Sequence, residues 1–357
     1  MLRETDLTLG ASNCIIKWGN LKAGENFLLL ADTKVSRELI SAVASVAKLH
    51  EANVSVMVKE PADLPHQEPE KIVAEAMKAS DLTVGCLTNS ISHTSAAYEL
   101  ECAGGRFINL GSSVEAMSSQ SAKFPPEIVF LTATKIAQAW KQGRTLRLTC
   151  DRGSDLTATM YPELVIGEEG AGAPLGTKTI EGKPRRSRFG AFEGGFGTVG
   201  YWPRWSTNGT VYFDAAHGIE GMLKTPLKTE IVDGRVEKLD GDPDVVAHFE
   251  RMFERFGDEA RHIGEIMMGL NPWVDVVAGL QAKQHVQAHR AAGTVHICFG
   301  NSIDDDRSVR PGIHLDQLVI KPTLYIDDEV CIDGGRVVFY EENEEVKRLA
   351  DSFNIVL

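Results

Sequence analysis

No stretch of about 18 consecutive apolar residues occurs in the sequence, the length a membrane-spanning helix needs. The first ten residues, MLRETDLTLG, offer neither a basic start nor an apolar segment. A secretory signal is therefore not expected, and the chain is placed in the cytoplasm. Basic residues are few: 37 Lys and Arg stand against 50 Asp and Glu, a formal net charge of −13. Such a chain repels a phosphate backbone, so neither nucleic acid nor a membrane is expected as a partner. The six cysteines form no C-x-x-C pair, which excludes a zinc ribbon or a thioredoxin-like motif. Most sit in apolar stretches and read as reduced core residues. Low-complexity segments and internal repeats are also missing. What is present, 43% hydrophobic and 24% charged residues, is the make-up of an ordinary globular protein.

A chain of 357 residues is long enough for about two domains. Up to residue 143, strand and helix signals alternate. Phe27–Ala31, Val54–Val58, Leu82–Leu87 and Phe107–Leu110 read as strands. Between and after them come a helix capped by Ser36, one from Pro69 to Ala79, one from Thr94 to Ala103, and one from Ile128 to Trp140. This alternation predicts a doubly wound parallel sheet of the α/β class. Residues 144–357 read instead as an α+β domain with a mixed or antiparallel sheet. A helix is expected there from Val245 to about Met268. A cleft between the two domains is the default place for a site.

Gly195 to Gly200 satisfies G-x-G-x-x-G, but the motif needs a strand before it and a helix after it. Tyr201, Trp202 and Pro203 follow, so a glycine-rich turn beside an aromatic strand is preferred.

Residues able to hold a metal gather in the C-terminal third. In a strand, His314 and Asp316 project from one face, their Cα atoms about 6.5–7 Å apart. An imidazole and a carboxylate so placed can converge on one ion. A second strand, Gly293 to Gly300, sets Thr294, His296 and Cys298 on one face and Val295, Ile297 and Phe299 on the other. Two histidines and one carboxylate with open positions suit non-haem Fe(II). Glu265, read near a helix end, is a further donor, and His262 lies one helical turn before it. On pattern alone these histidines read equally well as buried core residues. His285 and His289 would share a helix face, but no Glu lies between them as H-E-x-x-H requires.

The segments HIGEIMMGLNP (262–272), GTVHICFGN (293–301) and GIHLDQLVIKPTLYIDD (312–328) resemble a known superfamily. It joins the thermophilic-type metallo-aminopeptidases to the 2,5-dihydroxypyridine 5,6-dioxygenases. LKAGENFLLLADT (21–33) and SISHTSAAYELECAGGRFI (90–108) look like its first domain, so the resemblance spans nearly the whole chain. It implies metal ligands at Glu265, His314 and Asp316. The aminopeptidases also use a histidine at the position of His296. Thr198 stands where their further glutamate would fall, and a hydroxyl is a poor substitute for a carboxylate bridging two cations. The dioxygenases lack that glutamate too. They carry histidine where this chain has Glu265 and none at His296, so here His296 would replace the missing imidazole. Their acid/base histidine resembles His93, which follows the third strand at the end where open α/β sheets place their sites. A helix cap is the other reading of His93.

The resemblance implies a mononuclear Fe(II)-dependent, extradiol-type ring-opening dioxygenase. Its partners would be a small dihydroxylated aromatic such as 2,5-dihydroxypyridine and O2. The alternative is a metallo-aminopeptidase or related hydrolase in which Zn or Co activates water. A homo-oligomer is expected in either case.

Overall fold

The computed structural model describes residues 2–92, 94–166, 189–192, 198–203, 205–281, 285–301 and 311–357. Two compact units emerge, one drawn from 1–131 and 168–196, the other from 132–167 and 197–357. The architecture is mixed α/β, with one parallel sheet and two antiparallel ones. None of the described helices is long and apolar enough to cross a membrane.

The first unit holds the parallel sheet. Its strands run in the order Asn53–Lys59, Asn26–Asp32, Leu82–Cys86, Arg106–Asn109, Phe189–Ala191, and every neighbouring pair is parallel. Crossover helices carry the chain back between strands, as parallel pairing demands. Ser36 caps helix Arg37–Leu49 by accepting from the Glu38 N–H. Thr94 caps helix Ser95–Cys102 by accepting from the Ala97 N–H. Leu28, Leu30 and Phe107 of the sheet pack with Val73, Met77 and Leu100 of the helices. An 11-residue helix, Leu2–Ser12, and a π-helical turn, Asn13–Trp18, precede the sheet and have no counterpart in the sequence reading.

Strand order reverses beside the first strand, and there Asp32 lies buried. Its carboxylate accepts from Thr88 N (2.5 Å), Thr88 Oγ1 (3.0 Å) and Lys34 N (3.0 Å). A buried charge costs little when donors surround it in this way. The same clamp fixes where the chain leaves the third strand. A little further on, Glu68 accepts from Ser95 N (2.5 Å) and Ala96 N (3.3 Å) at the start of the next helix.

The second unit holds an eight-stranded and a six-stranded sheet, antiparallel throughout. In the six-stranded sheet the order is Ala215–Ala216, His314–Val319, Val295–Gly300, Ile263–Gly269, Thr198–Tyr201, Val165–Ile166. The helix expected from Val245 to about Met268 is shorter, spanning Pro243–Phe256. Asp242 caps it and Pro243 opens it, while Gly257 at φ 83° ends it in a conformation that favours glycine. After a 3-10 turn, Asp258–Arg261, the chain enters a strand buried at every position. Glu265 therefore sits on a strand, not near a helix end.

That helix holds the sheet from behind. Phe299 meets Phe249 (5.7 Å between ring centroids), Phe213 (5.8 Å) and Phe253 (6.3 Å). Aromatic pairs in such geometry add roughly 0.5–1.5 kcal/mol each beyond their buried area. Phe299 thus ties one face of its strand to the core, leaving the neighbouring residues, Cys298 and His296 among them, for the other face.

Candidate metal centre

Three adjacent strands of the six-stranded sheet supply the site. Cys298 stands opposite Glu265 on one side and opposite Asp316 on the other. Residues directly opposite, or two apart on one strand, share a face. Glu265, His296, Cys298, His314 and Asp316 consequently project together. A bulge between Ile263 and Glu265 shifts the register beside the glutamate, a common way to re-aim a side chain. Gly300, opposite His314, has φ 108°, and a Cβ there would lie 2.2 Å from the Ile313 carbonyl oxygen. Only glycine lets these two strands approach so closely at that point.

A sixth group arrives from outside the sheet. Leu318, on the same face, packs with Leu280 and Ala288 of the helices Val276–Gln281 and His285–Ala288. The chain then turns, and His289 lands fully buried against His296, with ring centroids 4.6 Å apart and planes within 19°.

Distances within the cluster are consistent. Glu265 Oε1 is 3.3 Å from His296 Nε2 and 3.4 Å from His314 Nε2. Asp316 Oδ1 is 3.3 Å from His314 Nε2, and its Oδ2 is 3.6 Å from His289 Nδ1. His314 Nδ1 lies 3.1 Å from the Asn301 carbonyl oxygen. A carbonyl only accepts, so Nδ1 carries the hydrogen, and Nε2, whose lone pair a proton or a cation must occupy, faces the two carboxylates. Acceptors facing acceptors are stable only with a proton or a cation among them. The spacing suits the latter, since donors about 2.1 Å from one ion stand about 3.0–3.4 Å from each other. Among the described residues, Glu265 Oε2 and His296 Nδ1 are buried with no hydrogen-bond partner, as expected where a ligand would complete the set. An imidazole oriented through its second nitrogen by a backbone carbonyl is also the usual arrangement behind a metal ligand.

Charge supports the same fit. Burial alone would raise the Glu265 pKa, but the His314 charge and the facing imidazoles of His296 and His314 outweigh it and hold the carboxyl at about 2. Burial also opposes ionisation of Asp316, yet His314 beside it holds the carboxyl well below the usual range. Burial disfavours a charged His314, and Cys298, Asp316 and Glu265 together override it, so its pKa is well raised. Two buried anions thus attract positive charge at one point. Cys298 is pushed up to about 12 by burial, so its thiol keeps its proton. It lies 3.0 Å from His314 Nδ1 and donates to the Phe299 carbonyl.

Of the residues singled out in the sequence, Glu265, His296, His314 and Asp316 come together. His93 lies outside the described residues, as does the start of the G-x-G-x-x-G stretch. Its last glycine, Gly200, has a packing reason: a Cβ there would meet Met267 Cγ at 2.4 Å. The strand Thr198–Tyr201, which contains the end of that stretch, leads into no helix among the described residues. Thr198 stands opposite Gly269, away from Cys298 in register. His262 packs edge-on against Trp205, with ring centroids 4.3 Å apart. His289 was readable only as half of a helical pair. Cys298 was placed on the correct face but valued only as core.

These features describe a mixed α/β chain with a buried imidazole–carboxylate cluster, and comparison with known proteins assigns its class. The family model of NicX, 2,5-dihydroxypyridine 5,6-dioxygenase, matches residues 11–339. The chain belongs to that family, and so is an enzyme of the dioxygenase kind. Among solved structures, the 2,5-dihydroxypyridine dioxygenase of Pseudomonas putida KT2440 superposes with a TM-score of 0.76 at 18% identity, covering 96% of this chain and 99% of that one. Wild-type AmpT from Thermus thermophilus gives 0.64 at 12% identity, covering 94% and 99%. At these identities the likeness speaks for the fold. It agrees with the superfamily resemblance carried by the motifs. No curated protein matches the sequence.

Proposed function

We propose that this protein is an Fe(II)-dependent, extradiol-type ring-opening dioxygenase acting on a small dihydroxylated aromatic, with 2,5-dihydroxypyridine as the first substrate to test. The observation that carries the reading is the buried cluster of Glu265, His296, His314 and Asp316 in a chain of the NicX family. His296, His314 and Asp316 would hold the ion, with Glu265 as a further donor facing both imidazoles. When bound, iron supplies open coordination positions at which substrate and O2 meet. The protein's part is to keep those positions dry and fixed. Asn301 orients His314 through its carbonyl, and Phe299 anchors the strand behind. His93 takes the proton of a substrate hydroxyl and returns it to the product, work for which an imidazole titrating near neutral pH is suited.

One observation favours a second reading, a metal-dependent aminopeptidase or related hydrolase using Zn or Co. Glu265 stands where the dioxygenases resemble each other in having histidine, and His296 is present. Thr198 in place of a carboxylate opposes it. A single experiment separates the two. The protein is purified without oxygen and loaded with Fe(II), Zn(II) or Co(II). Oxygen uptake with 2,5-dihydroxypyridine is then compared with amine release from a leucine anilide. Uptake dependent on iron is expected. Turnover of the anilide alone, with zinc or cobalt, would reverse the order.

A further inference from the structure

Strand Asn53–Lys59 ends the parallel sheet, and among the described residues it pairs only with Asn26–Asp32. It is a poorly guarded edge. Natural sheets protect such strands with proline, interior charge, a bulge or short length. This one runs seven residues in unbroken register, without proline, and its single charge is Lys59 at the end. The chain beyond it turns away toward the third strand: the Ala62 carbonyl accepts from Asn89 Nδ2 (2.8 Å), and the His66 N–H donates to the Ser90 carbonyl (2.6 Å). Within the sheet, the Asn53 N–H donates to the Glu25 carbonyl (2.8 Å), and the Lys59 carbonyl accepts from the Thr33 N–H (3.0 Å). Both bonds point inward. Successive residues of a strand bond to opposite sides, so Val54, Val56 and Val58 turn their N–H and C=O groups outward. Their side chains share one face, where Val56 is 47% and Val58 53% exposed.

We infer that this edge joins a second copy of the chain, the two strands running antiparallel about a two-fold axis at Val56. Val56 then faces its own counterpart and Val54 faces Val58, so each outward N–H meets an outward C=O. A slip of one residue would set outward groups against inward ones and leave the ladder unmade. The contact is isologous and closes on itself. Lys59 comes opposite Asn53, and Glu60 opposite Ala52, so no like charges meet. The helix Arg37–Leu49 touches both outer strands. A right-handed crossover places it on the valine face, opposite the helices that hold Met57. Helix Leu2–Ser12 packs on it and on Val114–Ser118, the side away from the edge. With strands about 4.8 Å apart, the axis brings the two copies of Arg37–Leu49 to about 10 Å, the packing distance of helices. They run antiparallel there and cover the valines, with the acidic Glu38 of each first turn toward the Lys48 of the other's last turn. This gives the expected homo-oligomer a particular interface, and it is independent of the metal-dependent reading above.

The test reads mass and main-chain protection together. In sedimentation velocity on the whole protein at micromolar concentration, the natural sequence should be an oligomer. Val56→Lys, which sets a charge on the pairing face, should halve its mass. Val56→Pro removes one outward N–H and no inward bond, and should do the same. Hydrogen exchange read by fragment mass spectrometry should find Val54, Val56 and Val58 protected in the natural oligomer and open in Val56→Lys. Ser55 and Met57, bonded inward, should stay protected in both. A natural protein that remains monomeric, or an oligomer whose mass Val56→Lys leaves unchanged, overturns the inference. Protection of Val54 and Val58 that persists in a monomeric variant also overturns it, and would assign the edge to another segment of the same chain. Fast exchange at the three valines in the natural oligomer overturns it as well, which decides the matter even if both variants fail to fold.

Discussion

Asp32 and Glu265 are both buried acids on sheet strands, and they are treated in opposite ways. Asp32 ends a parallel strand and receives three hydrogen bonds from Thr88 and Lys34. Glu265 sits within an antiparallel strand and faces His296 and His314 at distances beyond a good hydrogen bond, with Oε2 unmatched. A buried charge supplied with neutral donors is a fastening. A buried charge supplied with lone pairs is a socket. Burial alone does not tell the two apart; what faces the charge does.

Removing one wall of the socket should have the largest effect. His314→Ala should lower iron affinity and oxygen uptake by more than ~100-fold, since even groups behind a metal ligand cost about 10–100-fold. Metal content and uptake measured on the same sample check this, and a fully active variant would erase the distinction. His93→Ala comes next, with an expected loss of about 100- to 10,000-fold in kcat and metal content unchanged. A parallel loss of metal would move His93 into the socket.

Asp32→Ala tests the fastening. It strands three donors and should cost about 2–4 kcal/mol in urea unfolding while leaving metal binding of the folded protein untouched. Loss of metal affinity without loss of stability would contradict the assignment. The smallest effect is expected where acid and base meet in solvent. Arg147 binds both oxygens of Asp155 at 2.8 and 2.9 Å, and this hydrogen bonding lowers the carboxyl's pKa. A lowered acid stabilises the fold above its ordinary value of 3.8 and loses that contribution as pH falls through the depressed one. Arg147→Ala should therefore leave the unfolding midpoint at neutral pH within experimental scatter, because exposed pairs are screened. Any difference should vanish in acid.

Much of this was readable in advance, for physical reasons. The parallel sheet follows from strand and helix alternating, and the cap at Ser36 from a side chain that satisfies a free N–H group; the cap before Ser95 is Thr94, which the sequence reading had taken as the first residue of the helix. His314 and Asp316, and His296 with Cys298, follow from period two. The Glu265 strand did not, because IGEIMMG is buried on both faces and carries no alternation to separate it from the amphipathic helix before it. His289 was hidden for a different reason. Its place depends on Leu280 and Ala288 finding Leu318 far along the chain. Asn301 acts through a backbone oxygen that every residue type possesses.

Gly300 sets a limit on how such a centre can change over generations. One donor exchanged for another, glutamate for histidine, would still leave a cage able to close around an ion. Any side chain added at Gly300 would wedge the His296 and His314 strands apart and spoil every donor distance at once. The metal preference that such a centre would have is thus open to drift, while the gauge of the track on which these side chains ride is not.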